Sequence, residues 1–288
     1  MNIPPQGAGL GFRREITREL EREMAEHGSQ RINFFEIAPE NWLHLGGRYK
    51  KQLRQFTEQY AFTCHGLSLS IGSCAALDIE HLKRIKTFLT EHNISLYTEH
   101  LSWCSDDGHL YDLLPIPCTT EAVHWVASRI RQAQDILAMP IGMENASYYL
   151  NPPNAEMTEA EFIRAVITES DCLLHLDVNN IYVNSQNFNY DPLAYLKQLP
   201  LDKTAYIHVA GHYTEPDGLI IDTHGANVID PVWSLLQQAY KLLEPLTGKK
   251  TQQIPTCLER DFNFPPLNEL MLEVDKIHRL QNKASRHE

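Results

Sequence analysis

Short apolar or mixed runs alternate with longer amphipathic stretches along the whole chain. The runs lie near Gly9, Phe34, Phe62, Leu96, Ile141, Leu173, Tyr206 and Cys257 and read as strands. Helix signals fall between them. One stretch runs from about Arg14 to His27, Asp78 caps a helix reaching His92, and Thr119 caps another towards Leu137. Thr158 and Glu161 form a capping box, while Asp191-Pro192 and Asp230-Pro231 each pair an N-cap with proline at the first helical position. Eight strands, each followed by helix or loop, predict an α/β fold: a single (β/α)8 TIM-type barrel over residues 1–280 with a fraying polar tail over 281–288. The stretches Ser102–Pro117 and His212–Val228 carry no helix signal and are expected to lie over the barrel mouth.

Six of the strand-like runs end in acid–base or metal-binding side chains: His65, Glu99-His100, Glu144, Asp177, His208 with His212, and Glu259. Chemistry in such barrels sits at the carboxyl ends of the strands. A lone histidine at a strand end is more often structural, so each residue alone says little and the convergence carries the argument. Adjacent strand residues face opposite ways, so His100 is the expected ligand and Glu99 an outer partner that orients an imidazole. Glu144 in GMEN is costly to bury unless it is paired or ligating. His175, Asp177 and Asn179 share a face; Asp177 is the better ligand, and His175, deeper, is as readily a satisfied core histidine. Asn180 either ligates or closes the turn. Asp222 and His224 in DTHG form a loop pair suited to closing over an ion, and Arg260 and Asp261 stand beside Glu259 as outer partners.

These donors outnumber what one ion can hold, since zinc takes about four. Two or three ions are expected. Mixed imidazole and carboxylate donors suit iron or manganese better than calcium, with zinc still open. The net charge of −12 disfavours a phosphate-backbone binder, and no phosphate loop or G-x-S-x-G elbow occurs. The six cysteines form no C-x-x-C pair and read as buried free thiols. The start lacks a secretory signal and no apolar run reaches the ~18 residues of a membrane span. A cytoplasmic protein, with neither nucleic-acid nor membrane partner, is expected.

The motifs HGLSLSIG, TEHLSW, MEN, LDVNNIYVN, HVAGH, DTHG and LERD, in this order over nearly the whole chain, resemble the multinuclear non-haem iron-dependent oxidative enzymes, relatives of the methanobactin-biosynthesis oxidase subunit. The resemblance implies a barrel holding two or three irons and oxygen-dependent modification of cysteine, or another residue, in a ribosomally made precursor peptide. It also implies a small partner protein that presents the peptide. By motif, His65, His100 and Glu144 resemble the ligands of one iron. Glu144, Asp177, His208 and Glu259 resemble a second group, and Asn180, His212, Asp222 and His224 the surroundings of a third. The competing reading is a divalent-metal hydrolase or sugar isomerase on the same barrel, with zinc or manganese as Lewis acid. A metal-dependent binding protein without turnover is a third.

Overall fold

The computed structural model describes residues 4–106, 108–152 and 154–284. Among the described residues there are twelve strands: β1 (Ala8–Gly11), β2 (Phe34–Ile37), β3 (Ala61–Gly66), β4 (Tyr97–His100), β5 (Trp103–Ser105), β6 (His109–Leu114), β7 (Gly142–Glu144), β8 (Leu173–Asp177), β9 (Thr204–Ala210), β10 (Tyr213–Thr214), β11 (Ile220–Ile221) and β12 (Thr256–Glu259). Eight of them close a parallel barrel in the order β1-β2-β3-β4-β7-β8-β9-β12, at the places where the apolar runs predict strands. The helices are α1 (Thr17–His27), α2 (Gly47–Thr57), α3 (Ile79–Glu91), α4 (Thr120–Leu137), α5 (Glu159–Ser170), α6 (Val178–Asn187), α7 (Pro192–Leu196), α8 (Asp230–Thr247) and α9 (Leu267–Ala284).

The barrel interior is packed below and polar above. Phe34, Ala61, Leu96, Tyr206 and Cys257 form a buried floor separate from the main core, with the Phe34 and Tyr206 rings edge to face at 5.9 Å. A Cβ on Gly9 would stand 2.3 Å from Phe34 Cζ, so the glycine makes room for the floor ring. Helices cover the outside with apolar faces; α4 turns Val123, Val126, Ala127, Ile130 and Ala133 inward at helical spacing. Arg129, on the same helix, is buried and donates to the carbonyls of Ile71, Ala75 and Ser70, strapping down the loop after β3.

Asp78, Thr119 and Asp191 cap α3, α4 and α7, and the Thr158–Glu161 capping box opens α5. Asp230 departs from expectation: it is the first residue of α8, Ile229 holds the cap position, and the Asp230 carboxylate meets Lys276 at 3.1 Å. The polar tail also begins later than Gln281. That residue is buried and α9 continues to Ala284, because an amphipathic helix keeps its turns while one face still packs. Residues 285–288 lie outside the described ones. The two long loops are not irregular throughout: β5–β6 and β10–β11 form antiparallel hairpins within them. No helix among the described residues is long and apolar enough to cross a membrane.

Candidate metal centre

Alternation along the strands decides which side chains enter the barrel. Glu36, His65, His100, Glu144, His175, Asp177, His208 and Glu259 all rise from strand ends, and their pairing register sets them side by side: His100 opposite Glu144, Glu144 opposite His175, Asp177 opposite His208. Glu144 is central. Its Oε2 lies 3.0 Å from His65 Nε2 and 3.4 Å from His100 Nε2, while its Oε1 lies 3.4 Å from His208 Nδ1. His208 Nδ1 also faces Glu259 Oε2 at 3.0 Å and Asp177 Oδ2 at 3.9 Å. His224 comes from the loop after β11. Its Nδ1 lies 3.2 Å from Glu259 and 3.1 Å from Asp261, its Nε2 2.7 Å from Asp222.

Two groups emerge with atoms close enough to hold a metal ion: His65, Glu144, His175 and His208, and Asp177, His224 and Glu259. A third, Glu36 with His208 and Cys257, lies on the floor side. There burial and then the Glu36 charge push the Cys257 thiol far up, so it keeps its proton and is a poor ligand. The fit of the site to metal rests on its orphans. Glu144 Oε2, His100 Nδ1, both nitrogens of His175, Asp177 Oδ2, Asn180 Oδ1, His208 Nδ1 and His224 Nε2 are all buried and make no well-aligned hydrogen bond, although Glu144 Oε2, His208 Nδ1 and His224 Nε2 face oppositely charged groups at close range. Buried polar atoms are normally satisfied, so such a concentration marks a place where lone pairs await a cation.

The electrostatics agree. Burial, then the charges of Glu144 and Asp222, hold Asp177 well above the usual carboxylate range. Burial opposes charging His65, but Glu144 outweighs it and lifts the imidazole to about 9. Burial and the His65 charge together push His100 down to about 4. An ion entering the centre would displace protons from His65 and from His208, whose pKa Glu36 and Glu259 raise against burial.

Hydrogen bonds around the centre aim the donors. His65 Nδ1 meets Thr98 Oγ1 at 2.8 Å, and His208 Nε2 meets Glu36 Oε2 at 2.6 Å. Glu36 also accepts from the Tyr206 hydroxyl. Asp177 Oδ1 caps α6 by accepting from the Asn180 amide at 2.7 Å, which leaves Oδ2 for the centre. Asn145 fixes the Asp177 backbone through both its amide N and carbonyl O.

Of the ten expected ligands, His65, His100, Glu144, Asp177, His208, Asp222, His224 and Glu259 converge. Asn180 spends its side-chain amide on Asn145 O and turns its unpaired Oδ1 inward, so it closes the turn and still offers an oxygen. His212 belongs to neither group: it stacks on Tyr182 and bonds Asn179 Oδ1, and Asn179 in turn donates to Asp222. Glu99 does face away from His100, but it does not orient a metal-site imidazole. It accepts from Tyr97 OH and the Leu69 amide instead. Arg260 likewise turns outward to Asn227 and Glu273, while Arg13 and Asp261 flank Glu259. His175 is not a satisfied core histidine; its ring stands edge on to His65 and His208. Glu36 stands in none of the strand-end motifs of the sequence, although a lone carboxylate in an apolar strand has to be paired.

Two openings reach the centre. One, of about 370 Å³, is lined by His100, Cys104, Ser147, Tyr149, Asp222 and His224; the other, of about 280 Å³, by Arg13, Glu36, Trp42, His65 and Glu259 among others. Both long loops contribute to the first, as their position over the mouth predicts.

Residues 7–282 match the family profile of RiPP precursor modification enzyme MbnB/TglH/ChrH. A UPF0276 protein of Nitrosospira multiformis is 56% identical over 273 residues, covering 95% of this chain and 92% of that one. Another, of Shewanella amazonensis, is 54% identical over 279 residues and covers 97% and 96%. Among solved structures, L-ribulose 3-epimerase matches with TM-score 0.59 at 13% identity, covering 97% of this chain and 96% of that chain. The 3-keto-D-glucoside 4-epimerase YcjR from E. coli matches with TM-score 0.58 at 15% identity over 96% and 99%. At such identity these structures speak for the barrel alone.

Proposed function

The chain belongs to the RiPP precursor modification enzyme family MbnB/TglH/ChrH, and from that premise we propose that it is an oxidoreductase using two or three irons to modify a cysteine of a ribosomally made precursor peptide with dioxygen. The observation that carries the reading is the set of buried, unpartnered imidazole and carboxylate atoms around Glu144. Glu144, with one oxygen facing His65 and His100 and the other facing His208, would hold iron together with those imidazoles. His224, Asp222 and the Asn180 oxygen, with Asp177 and Glu259, supply a neighbouring position.

Bound iron would supply the one-electron redox chemistry that dioxygen as oxidant requires. The chain's residues do the rest. Glu36 and Thr98 hold the His208 and His65 rings in place, and Asn145 fixes the strand end that carries Asp177. The mouth admits a peptide side chain between Leu67 and Tyr149, while the hairpin-bearing loops at Ser102–Pro117 and His212–Val228 close over it and limit water. A small partner protein presenting the peptide, as the family resemblance implies, completes the reading.

The test is to prepare the protein anaerobically with iron and supply the cysteine-containing peptide encoded beside it, alone and with any small protein encoded there. We expect more than one iron per chain, oxygen uptake, and a mass change that the cysteine-to-serine peptide does not show. Zinc as the sole metal, with turnover independent of oxygen, would instead favour the hydrolase or sugar isomerase reading.

A further inference from the structure

A second built site lies outside the metal centre, between α5 and the α6–α7 corner. It is a cleft of about 400 Å³ walled by Tyr148, Phe188, Tyr190 and Tyr195, with the carboxylates of Glu159 and Asp191 among its lining and no lysine or arginine. Tyr148 stacks on Phe188 at 4.9 Å and Tyr190 on Tyr195 at 5.3 Å. Glu159 accepts a 3.1 Å hydrogen bond from Tyr148 OH. The Tyr190 hydroxyl is buried with no partner at all. Aromatic faces, a partly desolvated carboxylate and an idle hydroxyl are together the recognition chemistry of an ammonium or guanidinium group.

The cleft and the mouth share a wall. Ser147, which donates to Asp222 at 3.0 Å, lines both the mouth and a narrow slot; Tyr148 and Glu159 line both that slot and the cleft. A peptide crossing the exposed stretch 149–151 would touch the mouth at Tyr149 and the aromatic cleft at Asn151. We propose that the cleft receives an arginine or lysine side chain of the precursor peptide and so sets which residue reaches the mouth. This rests on the peptide-modifying reading above, but its test does not require turnover.

The probe is Nα-acetyl-arginine amide, followed by saturation-transfer NMR on the full chain, beside its citrulline counterpart and methylguanidinium. At about pH 8, above the value of about 7 to which burial lifts the Glu159 carboxyl, wild-type protein should bind the blocked arginine at least about tenfold more tightly than the citrulline compound, which keeps shape and loses charge. Glu159→Gln should remove most of that preference, and Tyr190→Phe, which keeps the ring, should weaken binding several-fold. Equal binding of arginine and citrulline compounds, or an unaltered preference in Glu159→Gln, would overturn the site. Methylguanidinium binding as tightly as the blocked arginine would overturn the peptide assignment, because nothing beyond a small cation would then be read. Failure of every peptide to turn over, with the arginine preference intact, would count against the proposed reaction and leave the cleft standing.

Discussion

Glu36 holds His208 from below: the carboxylate oxygen Oε2 lies 2.6 Å from His208 Nε2, so Nδ1 is turned towards Glu144 and Glu259. A carboxylate on one imidazole nitrogen fixes the tautomer and makes the other nitrogen a better ligand. Glu36→Gln should therefore keep the fold and lower metal affinity about 10- to 100-fold, the cost of losing such an outer partner. Chelator competition measures it. Unchanged affinity would mean that Glu36 serves only the floor through Tyr206.

Removal of Glu144 should cost more metal than removal of any histidine at the edge. Glu144→Ala strips the carboxylate that faces His65, His100 and His208, and elemental analysis should show most of the metal gone. His212→Ala, which loses the stack on Tyr182 and the contact to Asn179, should retain most of it.

His175 separates the two readings of its role. Sequence reasoning alone expects His175→Ala to leave metal content unchanged, whereas two idle ring nitrogens beside His65 and His208 predict a clear loss. The metal-to-protein ratio of the purified variant decides between them.

Gly211→Ala should disrupt the path from β9 to His212. Its Cβ would fall 2.1 Å from the Ala226 carbonyl oxygen, a backbone atom that cannot swing aside. A loss of about 2 kcal/mol or more is expected from such overpacking, read by denaturant unfolding. The loop carrying His224 should gain protease sensitivity in the same variant.

Glu159 makes stability fall as pH rises. Burial lifts its carboxyl to about 7, with the Tyr195 and Tyr148 hydroxyls holding it back. The folded state then keeps a proton that the unfolded chain releases near its ordinary value of 4.5. Stability from this group is full below 4.5 and is lost as pH rises towards and through 7. Glu159→Gln should be more stable than wild type at about pH 8 by an amount on the order of 1–3 kcal/mol, and the advantage should vanish near about pH 4. An advantage independent of pH would show that the carboxyl is not the cause.

The strand positions, most helix starts and most of the convergent donors are legible in the sequence because they depend on neighbours a few residues away. Period-two alternation predicts that only one of Glu99 and His100 enters the barrel, and the Thr158–Glu161 pair predicts its own capping box. What each inward side chain then meets is set by barrel closure. Glu36 and His208 are 172 positions apart, and Arg13 meets Asp261 across 248. No local pattern carries such pairings; they exist because barrel closure sets β1 between β2 and β12, with β9 next to β12.

The sequence by itself thus determined an eight-stranded α/β barrel with imidazole and carboxylate donors gathered at its mouth. Only the tertiary structure decided that Glu99 and Arg260 serve other partners, that His175 is left unsatisfied beside the centre, and that four aromatic rings from two distant stretches enclose Glu159. The physical reason is the same in each case. A side chain's direction follows from its own strand or helix, but its partner and its desolvation follow from whatever the closed barrel packs against it.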